Sequence, residues 1–178
     1  MRIIAGFLKG RSFHSPPGHR SHPMSDKVRG ALFNILGDIE ELTFLDAFAS
    51  SGALALEAAS RGAKHVTAIE KDSPAYTVIA KNVKELGLAK LVHASRANVG
   101  GWSNHNMEAE FDIVLLDPPY DLLQLSLLTK LARRHVKASG LVVLSYPGQA
   151  LVPAFEDFEI AADKHYGDAQ LVFYRKSK

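Results

Sequence analysis

The segment from Phe111 to Tyr120, which reads FDIVLLDPPY, constrains the fold more than any other part of the chain. Its first six residues are almost continuously apolar, which is typical of a strand buried on both faces of a parallel sheet. Pro118 and Pro119 prevent the strand from continuing, because proline lacks a backbone N–H and has a fixed φ. Ligands in open α/β sheets bind at the carboxyl ends of strands. The segment therefore predicts that Asp117 and Tyr120 lie at a binding cleft.

Strand and helix patterns alternate from residue 43 to residue 146, which predicts a doubly wound parallel sheet with right-handed crossovers. The predicted strands are residues 43–48, 65–70, 90–94, 111–116, 140–146, 158–166 and 170–175. The last two should pair antiparallel, because Gly167 and Asp168 form a turn signal between them. We therefore expect an α/β fold with a seven-stranded, mainly parallel sheet. In the strand order 3-2-1-4-5, the turn at residues 46–52 should meet the turn at residues 117–120.

The helices are predicted from apolar spacing and capping signals. Ser25 can cap a helix that ends before Gly37, with Lys27 and Arg29 off its apolar face. That face comprises Val28, Ala31, Leu32, Ile35 and Leu36. Further helices are predicted at residues 53–61, from Ser73 as N-cap to about residue 86, and at residues 122–134. Residues 96–110 are predicted to be a loop or a weak helix.

The composition narrows the class of protein. The chain of 178 residues contains no cysteine, which excludes disulfides and thiolate metal sites. No apolar run is long enough to span a bilayer and no signal peptide is recognisable, so a cytoplasmic protein is expected. The net charge is only +2, but the amino-terminal 30 residues carry six cations against one acid. We interpret residues 1–24 as a basic arm or hairpin and residues 25–178 as the main domain. The spacing of His14, His19 and His22 matches no common metal-ligand motif.

The turn from Asp46 to Gly52 is suited to hold a cofactor. Its small residues let the backbone approach a ligand closely, and Glu70, at the end of the next strand, can accept hydrogen bonds from a ribose diol. A dinucleotide site needs the pattern G-x-G-x-x-G at this position, whereas the turn contains one glycine. A cofactor without phosphates fits better, and S-adenosylmethionine is the main candidate.

Five segments resemble one known family over nearly the whole chain. They are MRIIAG at residues 1–6, SDKVRGALFNIL at 25–36, FLDAFASSGALALEAASRGA at 44–63, DPPY at 117–120 and YGDAQLVFYR at 166–175. Together they are similar to the bacterial 16S ribosomal RNA (guanine-N2) methyltransferases of the D type. The resemblance implies a class I, Rossmann-like methyltransferase fold with S-adenosyl-L-methionine as cofactor. It also implies a monomer that methylates a guanine of 16S ribosomal RNA within a 30S particle.

The residues and the resemblance together predict three groups of site residues and no metal. The predicted catalytic residues are Asp117, Pro118, Pro119 and Tyr120. The predicted cofactor-binding residues are Asp46, Phe48, Ala49, Ser50, Ser51, Gly52, Glu70, Lys71, Asn98 and Asp117. The predicted RNA-binding residues are Arg2, Lys9, Arg11, Arg20, Lys27 and Arg29. Asp117 and the Pro118 carbonyl would accept the two N–H bonds of the target amine, and Tyr120 would stack on the base.

Two alternatives stay open from the sequence. DPPY also occurs in enzymes that methylate the N6 amine of adenine in DNA or another RNA, although no added target-recognition domain is visible here. A non-catalytic RNA-binding descendant is the other alternative. It stays open because this family usually has glycine at the position of Ser50, and Arg-Pro-Thr where this chain has His22, Pro23 and Met24.

Overall fold

The computed structural model describes residues 1–17 and 24–177, so the predictions for His19, Arg20, His22 and Pro23 lie outside the described residues. The α-helices are Asp26–Leu36 (α1), Ala53–Ser60 (α2), Ser73–Glu85 (α3), Val99–His105 (α4) and Leu125–His135 (α5), and Tyr120–Leu122 forms a 3-10 turn. The strands are Thr43–Asp46 (β1), His65–Glu70 (β2), Val92–Arg96 (β3), Phe111–Leu116 (β4), Val136–Pro147 (β5), Phe158–Tyr166 (β6) and Ala169–Lys176 (β7).

The strands form one seven-stranded sheet in the order β3-β2-β1-β4-β5-β7-β6. Strands β1 to β5 pair in parallel, and β7 pairs antiparallel with both β5 and β6. The predicted fold class and the central order 3-2-1-4-5 are confirmed. The order reverses between β1 and β4, so the carboxyl ends of these two strands form the edge where a ligand is expected. We call the carboxyl ends of β1, β2, β4 and β5, with the turns that follow them, the rim.

The bounds of β2, β4 and β6 agree with the prediction, whereas β3 begins two residues later than predicted. The chain is still turning before it, because the N–H groups of Leu91 and Val92 both donate to the Leu88 carbonyl. The N-cap of α3 is Asp72 and not, as we predicted, Ser73. Asp72 caps this helix by accepting from the N–H of Ala75, and Ser73 is the first helical residue.

Helices cover both faces of the sheet. One face packs against α1, α2, α3 and the amino-terminal segment, and the other packs against α4 and α5. Burial on both faces explains why β4 is an apolar run and not an alternating pattern. Among the helices in the described ranges, none combines the length and the apolar character needed to cross a membrane.

Helix α1 buries part of the predicted face and two residues outside it. Leu32 is buried and Val28 and Leu36 pack against the core, whereas Ile35 is 37% exposed. Arg29 and Phe33 are buried as well. The Phe33 ring packs against that of Phe44 on β1, with 6.4 Å between centroids. Arg29 is turned inward by ion pairs, which apolar spacing cannot reveal. The prediction that Arg29 lies off the buried face is therefore wrong.

The first 13 residues form a hairpin-like segment that is packed into the core. Arg2 and Ser12 make an antiparallel bridge, and Ile3, Leu8 and Phe13 are buried. Glu57 on α2 accepts from the N–H groups of Ile4 and Ala5, at 2.8 and 3.0 Å. The segment thus covers one face of the sheet.

Candidate active site

Polar side chains from four strands meet at the rim. Register pairs Asp46 with Ala68 on β2 and with Leu115 on β4. Because side chains alternate along a strand, Asp46 and Glu70 project on one face of the sheet. Asp117 follows β4 immediately, and its charge raises the pKa of Asp46, as does that of Glu70. The two turns predicted to meet therefore do so.

Asp46 is fully buried, and neither of its carboxylate oxygens has a hydrogen-bond partner among the described residues. Burial, followed by the charges of Asp117 and Glu70, raises the pKa of Asp46 to about 8 from an ordinary value of 3.8. The nearby N–H groups of Phe48 and Ala55 partly offset this rise. Burying an ionised carboxylate without hydrogen-bond partners costs free energy unless a cation or a hydrogen-bond donor lies against it. This site is suited to a positively charged ligand.

The small-residue turn after β1 is held by Glu70. The Ser50 N–H donates to the Glu70 carboxylate at 2.7 Å, and the Asp72 N–H donates to its other oxygen at 2.7 Å. A carboxylate has about four acceptor sites, so about two remain for ligand hydroxyls. Gly52 is the N-cap of α2 and has a φ of 77°, and a β-carbon there would lie 3.2 Å from the Ile79 side chain. The turn thus requires glycine at residue 52.

Ser50 has a φ of 50°, in the left-handed region that disfavours residues with a β-carbon. We therefore expect Ser50→Gly to raise the free energy of unfolding by about 0.5–1 kcal/mol. The N–H that donates to Glu70 is kept, so ligand affinity at this turn should stay equal or improve. Denaturant unfolding and calorimetric titration with S-adenosylmethionine measure the two effects.

Ser51→Gly is the matched control for this substitution. Ser51 is buried and has no positive φ, so glycine there should lower stability. If Ser50→Gly lost stability or affinity as well, the interactions of the Ser50 side chain would outweigh the backbone cost.

Asp117 and Tyr120 lie together beside a serine that the sequence analysis missed. The Tyr120 hydroxyl lies 2.9 Å from the hydroxyl of Ser145, and Ser145 lies beside Asp117 in the sheet because Leu116 pairs with Leu144. Burial raises the pKa of Asp117, and the Ser145 side chain opposes the rise. Ser145 was detectable in principle, because it is the first polar residue after an apolar run in the strand beside β4. Only the pairing of Leu116 with Leu144 places it next to Asp117.

The other predicted cofactor and catalytic residues are distributed around these groups. Ala49 is buried and Phe48 is half-buried against the α5 face of the sheet. Pro118 is buried, and Pro119 begins the 3-10 turn that carries Tyr120. Lys71 is exposed beside Glu70. Asn98 caps α4 through the N–H groups of Gly100 and Gly101, close to the rim because Ala97 donates to the Glu70 carbonyl.

The predicted RNA-binding cations do not share one environment. Arg2, Lys9, Arg11 and Lys27 are exposed, and Arg20 lies outside the described residues. Arg29 is fully buried, with Nη2 at 2.7 Å from the Arg2 carbonyl and 2.9 Å from the Asp26 carboxylate. Its Nε lies 3.7 Å from Glu57. A phosphate cannot reach a side chain with no exposed surface, so Arg29 is removed from the predicted RNA-binding set.

Within residues 1–17 and 24–177, no three His, Asp or Glu side chains are arranged to hold a metal ion. His135 is the most buried histidine described, and burial lowers its pKa. Its Nδ1 donates to the Ala109 carbonyl, and its Nε2 forms a hydrogen bond with the Ser103 hydroxyl. This is the environment of a structural histidine at the carboxyl end of α5, away from the rim.

Comparisons with known proteins point to one group. The family model described as Conserved hypothetical protein 95 matches residues 1–175. A Bacillus subtilis protein provisionally named rRNA methyltransferase YlbH is 31% identical over 99% of both chains. The Ribosomal RNA small subunit methyltransferase D of Escherichia coli is 38% identical over 67% of this chain, an alignment that spans 60% of that protein. A solved Escherichia coli structure, provisionally titled methyltransferase yhhF, has a TM-score of 0.88 at 28% identity and covers 99% of this chain and 98% of its own.

Proposed function

Because this chain belongs to the Conserved hypothetical protein 95 family, we propose that it is an S-adenosylmethionine-dependent methyltransferase that modifies the N2 amine of a guanine in 16S ribosomal RNA. The names of its relatives support ribosomal RNA as the substrate. The choice of the guanine N2 amine comes from the resemblance in the DPPY and amino-terminal segments. The substrate would be ribosomal RNA within an assembled or assembling 30S particle in the cytoplasm, and the protein would act as a monomer.

The observation that carries this proposal is the meeting of Asp46, Glu70 and Asp117 at one end of the sheet. S-adenosylmethionine has a ribose diol, a sulfonium and an ammonium group, and no phosphate. Glu70 has free acceptor sites for the diol, and the unpartnered Asp46 carboxylate favours a cation. Ser50 to Gly52 provide the close backbone approach, and Asn98 and Lys71 flank it. The residues present therefore fit this cofactor.

The high pKa of Asp46 makes the proposed cofactor binding dependent on pH. A cationic ligand favours the ionised carboxylate, so below pH 8 binding should release a proton and affinity should rise towards pH 8. In the free protein, stability depends on pH in the opposite direction. The folded-state pKa of Asp46 exceeds that of the unfolded chain, so its contribution to stability is lost as pH rises from about 4 to about 8.

Titration calorimetry in buffers of different ionisation enthalpy measures the released proton. Asp46→Asn should abolish this release and should also stabilise the free protein at pH 8 by about 1–3 kcal/mol. The matched variant Asp117→Asn keeps Asp46 and should retain part of the proton release, because burial is a larger cause of the high pKa of Asp46 than the Asp117 charge. If the Asp46→Asn variant released as many protons as the wild-type protein, Asp46 would not be the group that meets the cofactor.

At the rim, the chain's own residues would align and polarise the target amine. S-adenosylmethionine supplies an electrophilic methyl group when bound. The lone pair of a guanine N2 amine is delocalised into the ring, so the amine is a weak nucleophile. Asp117 and the Pro118 carbonyl are acceptors for its two N–H bonds and would stabilise the positive charge that develops on nitrogen. The fixed orientation of the amine towards the methyl group contributes the rest of the rate enhancement.

Tyr120 and the exposed cations would hold the RNA. Tyr120 is 39% exposed at the rim, so its ring is available to stack on a base that has left its helix. Arg2, Lys9, Arg11 and Lys27 are exposed and can meet phosphates, although Arg2 already contacts Asp26 at 3.4 Å. An exposed ion pair of this kind is weak and can yield to a phosphate.

The experiment that tests the proposed function is a methyl-transfer assay with labelled S-adenosylmethionine. Unmethylated 16S ribosomal RNA, 30S particles and adenine-containing duplex DNA are offered side by side. Label should enter ribosomal RNA, free or in particles. Label entering DNA alone would favour the adenine alternative. Absence of transfer to all three substrates, with cofactor bound, would favour a non-catalytic RNA-binding protein.

A further inference from the structure

Ser145 is a buried serine that bonds to one predicted catalytic side chain of the DPPY segment and lies beside another. It is 5% exposed near the end of β5, and its Oγ lies 2.9 Å from the Tyr120 hydroxyl. Because Leu116 pairs with Leu144, Ser145 is the neighbour of Asp117 in the sheet, and its side chain favours the ionised form of that carboxyl group. No motif that we identified in the sequence includes this residue.

When Asp117 is ionised, only one assignment of donors and acceptors is consistent for Tyr120, Ser145 and Asp117. A carboxylate can only accept, so the single Ser145 proton is donated to Asp117. The Ser145 oxygen is then free to accept the proton of Tyr120. One carboxylate oxygen is thereby taken by serine, which leaves the other to face a substrate amine. The hydrogen bond between Ser145 and the Tyr120 hydroxyl also fixes the tyrosine ring.

The position of Tyr120 makes such a restraint necessary. Tyr120 lies on a single 3-10 turn after two prolines, and part of its ring is exposed. In contrast, the backbone of Ser145 is held by the ladder with Leu171 on β7, which does not need the hydroxyl. The serine is therefore the rigid member of the pair, and the tyrosine is the member that it positions.

We propose that Ser145 is a positioning residue, which locks the Tyr120 ring and one Asp117 carboxylate oxygen in the geometry that receives the target base. This rests on the proposed function, since it concerns how the same site holds its substrate. The ring is arranged before RNA arrives, so less ordering is required when the base enters. Asp117 and Tyr120 act on the substrate directly, whereas Ser145 acts through them.

A double-mutant cycle tests the proposal. Ser145→Ala removes the shared hydroxyl, and Tyr120→Phe removes the other end of the bond but keeps a ring that can stack. Each variant should lower kcat/KM for ribosomal RNA by about fivefold to tenfold, the size expected for one neutral hydrogen bond. The double variant should lose little more than the worse single variant, because both changes remove the same bond. The KM for S-adenosylmethionine should not change.

Two further variants separate positioning from folding. Ser145→Thr keeps a hydroxyl at the same carbon and should recover most of the rate. Ser103→Ala removes another buried serine hydroxyl, bonded to His135 at 2.8 Å and remote from the rim, and should leave kcat/KM unchanged. The unfolding free energies of Ser145→Ala and Ser103→Ala give the comparison for stability.

Additive losses in the cycle would overturn the proposal, because they would show that Ser145 and Tyr120 act separately. Wild-type kinetics for Ser145→Ala would overturn it as well. These outcomes differ from failure of the proposed function, in which the wild-type protein itself transfers no methyl group to ribosomal RNA.

Discussion

Replacing Asp117 with alanine should lower methyl transfer to ribosomal RNA by at least about 10²–10³-fold. The substitution removes the acceptor that holds the target amine and stabilises the charge developing on it. Calorimetric affinity for S-adenosylmethionine should change little, because Glu70 and the turn after β1 are kept. Single-turnover assays with cofactor in excess measure the chemical step separately from binding.

Two companion variants make the Asp117 result specific. Asp121→Ala changes an exposed carboxylate four residues later on the 3-10 turn and should retain full activity. Asp117→Asn keeps one carbonyl acceptor and should retain more activity than alanine. Wild-type turnover in Asp117→Ala would exclude the proposed alignment of the amine.

Replacing Glu57 with glutamine should lower the free energy of unfolding by about 3–5 kcal/mol. Glu57 has no exposed surface and accepts from the N–H groups of Ile4 and Ala5, and from Nε of Arg61 at 2.7 Å. It is also the carboxylate nearest to the buried Nε of Arg29, at 3.7 Å. The amide would place N–H donors against other donors and leave the Arg29 charge compensated by Asp26 alone.

Denaturant unfolding of Glu57→Gln measures this loss, and Glu41→Gln is its control. Glu41 has a side chain that is 74% exposed and contacts Lys64 at 3.2 Å, so its neutralisation should change stability by less than about 1 kcal/mol. We expect the amino-terminal segment to be released first, because two of its anchors are the Glu57 bonds. A loss below about 1 kcal/mol in Glu57→Gln would show that Asp26 compensates the Arg29 charge without Glu57.

The sheet could be predicted from the sequence because its signals are local. Apolar runs predicted β2 and β4, and the alternation of strands with helices predicted the order of the strands in the sheet. Asp46, Glu70 and Asp117 were predictable for the same reason, since each ends a strand and parallel strands end at a common edge.

Arg29 and Ser145 could not be placed from the sequence because their partners are distant in it. Apolar spacing put Arg29 on the outside of α1; its local counter-ion Asp26 is half-exposed, and the buried counter-ion Glu57 comes from the next helix. Ser145 becomes a neighbour of Asp117 only through the register of β4 with β5. Such long-range pairings decide side-chain environments, whereas local patterns decide the elements.

The strain at Ser50 could be predicted from the sequence only in part. The departure from glycine is visible in the sequence, but its cost depends on backbone conformation, and the structure gives that residue a φ of 50°. The Ser50 N–H still donates to Glu70, so the departure does not break the turn.

The identity of the methylated nucleoside tests the central claim most directly. Ribosomal RNA from the transfer assay is digested to nucleosides and analysed by chromatography with mass spectrometry. The proposed function predicts label in N2-methylguanosine, absent when Asp117→Ala is used. Label in N6-methyladenosine would contradict the assignment of the guanine N2 amine, although it would leave the cofactor site and the role of Asp117 in place.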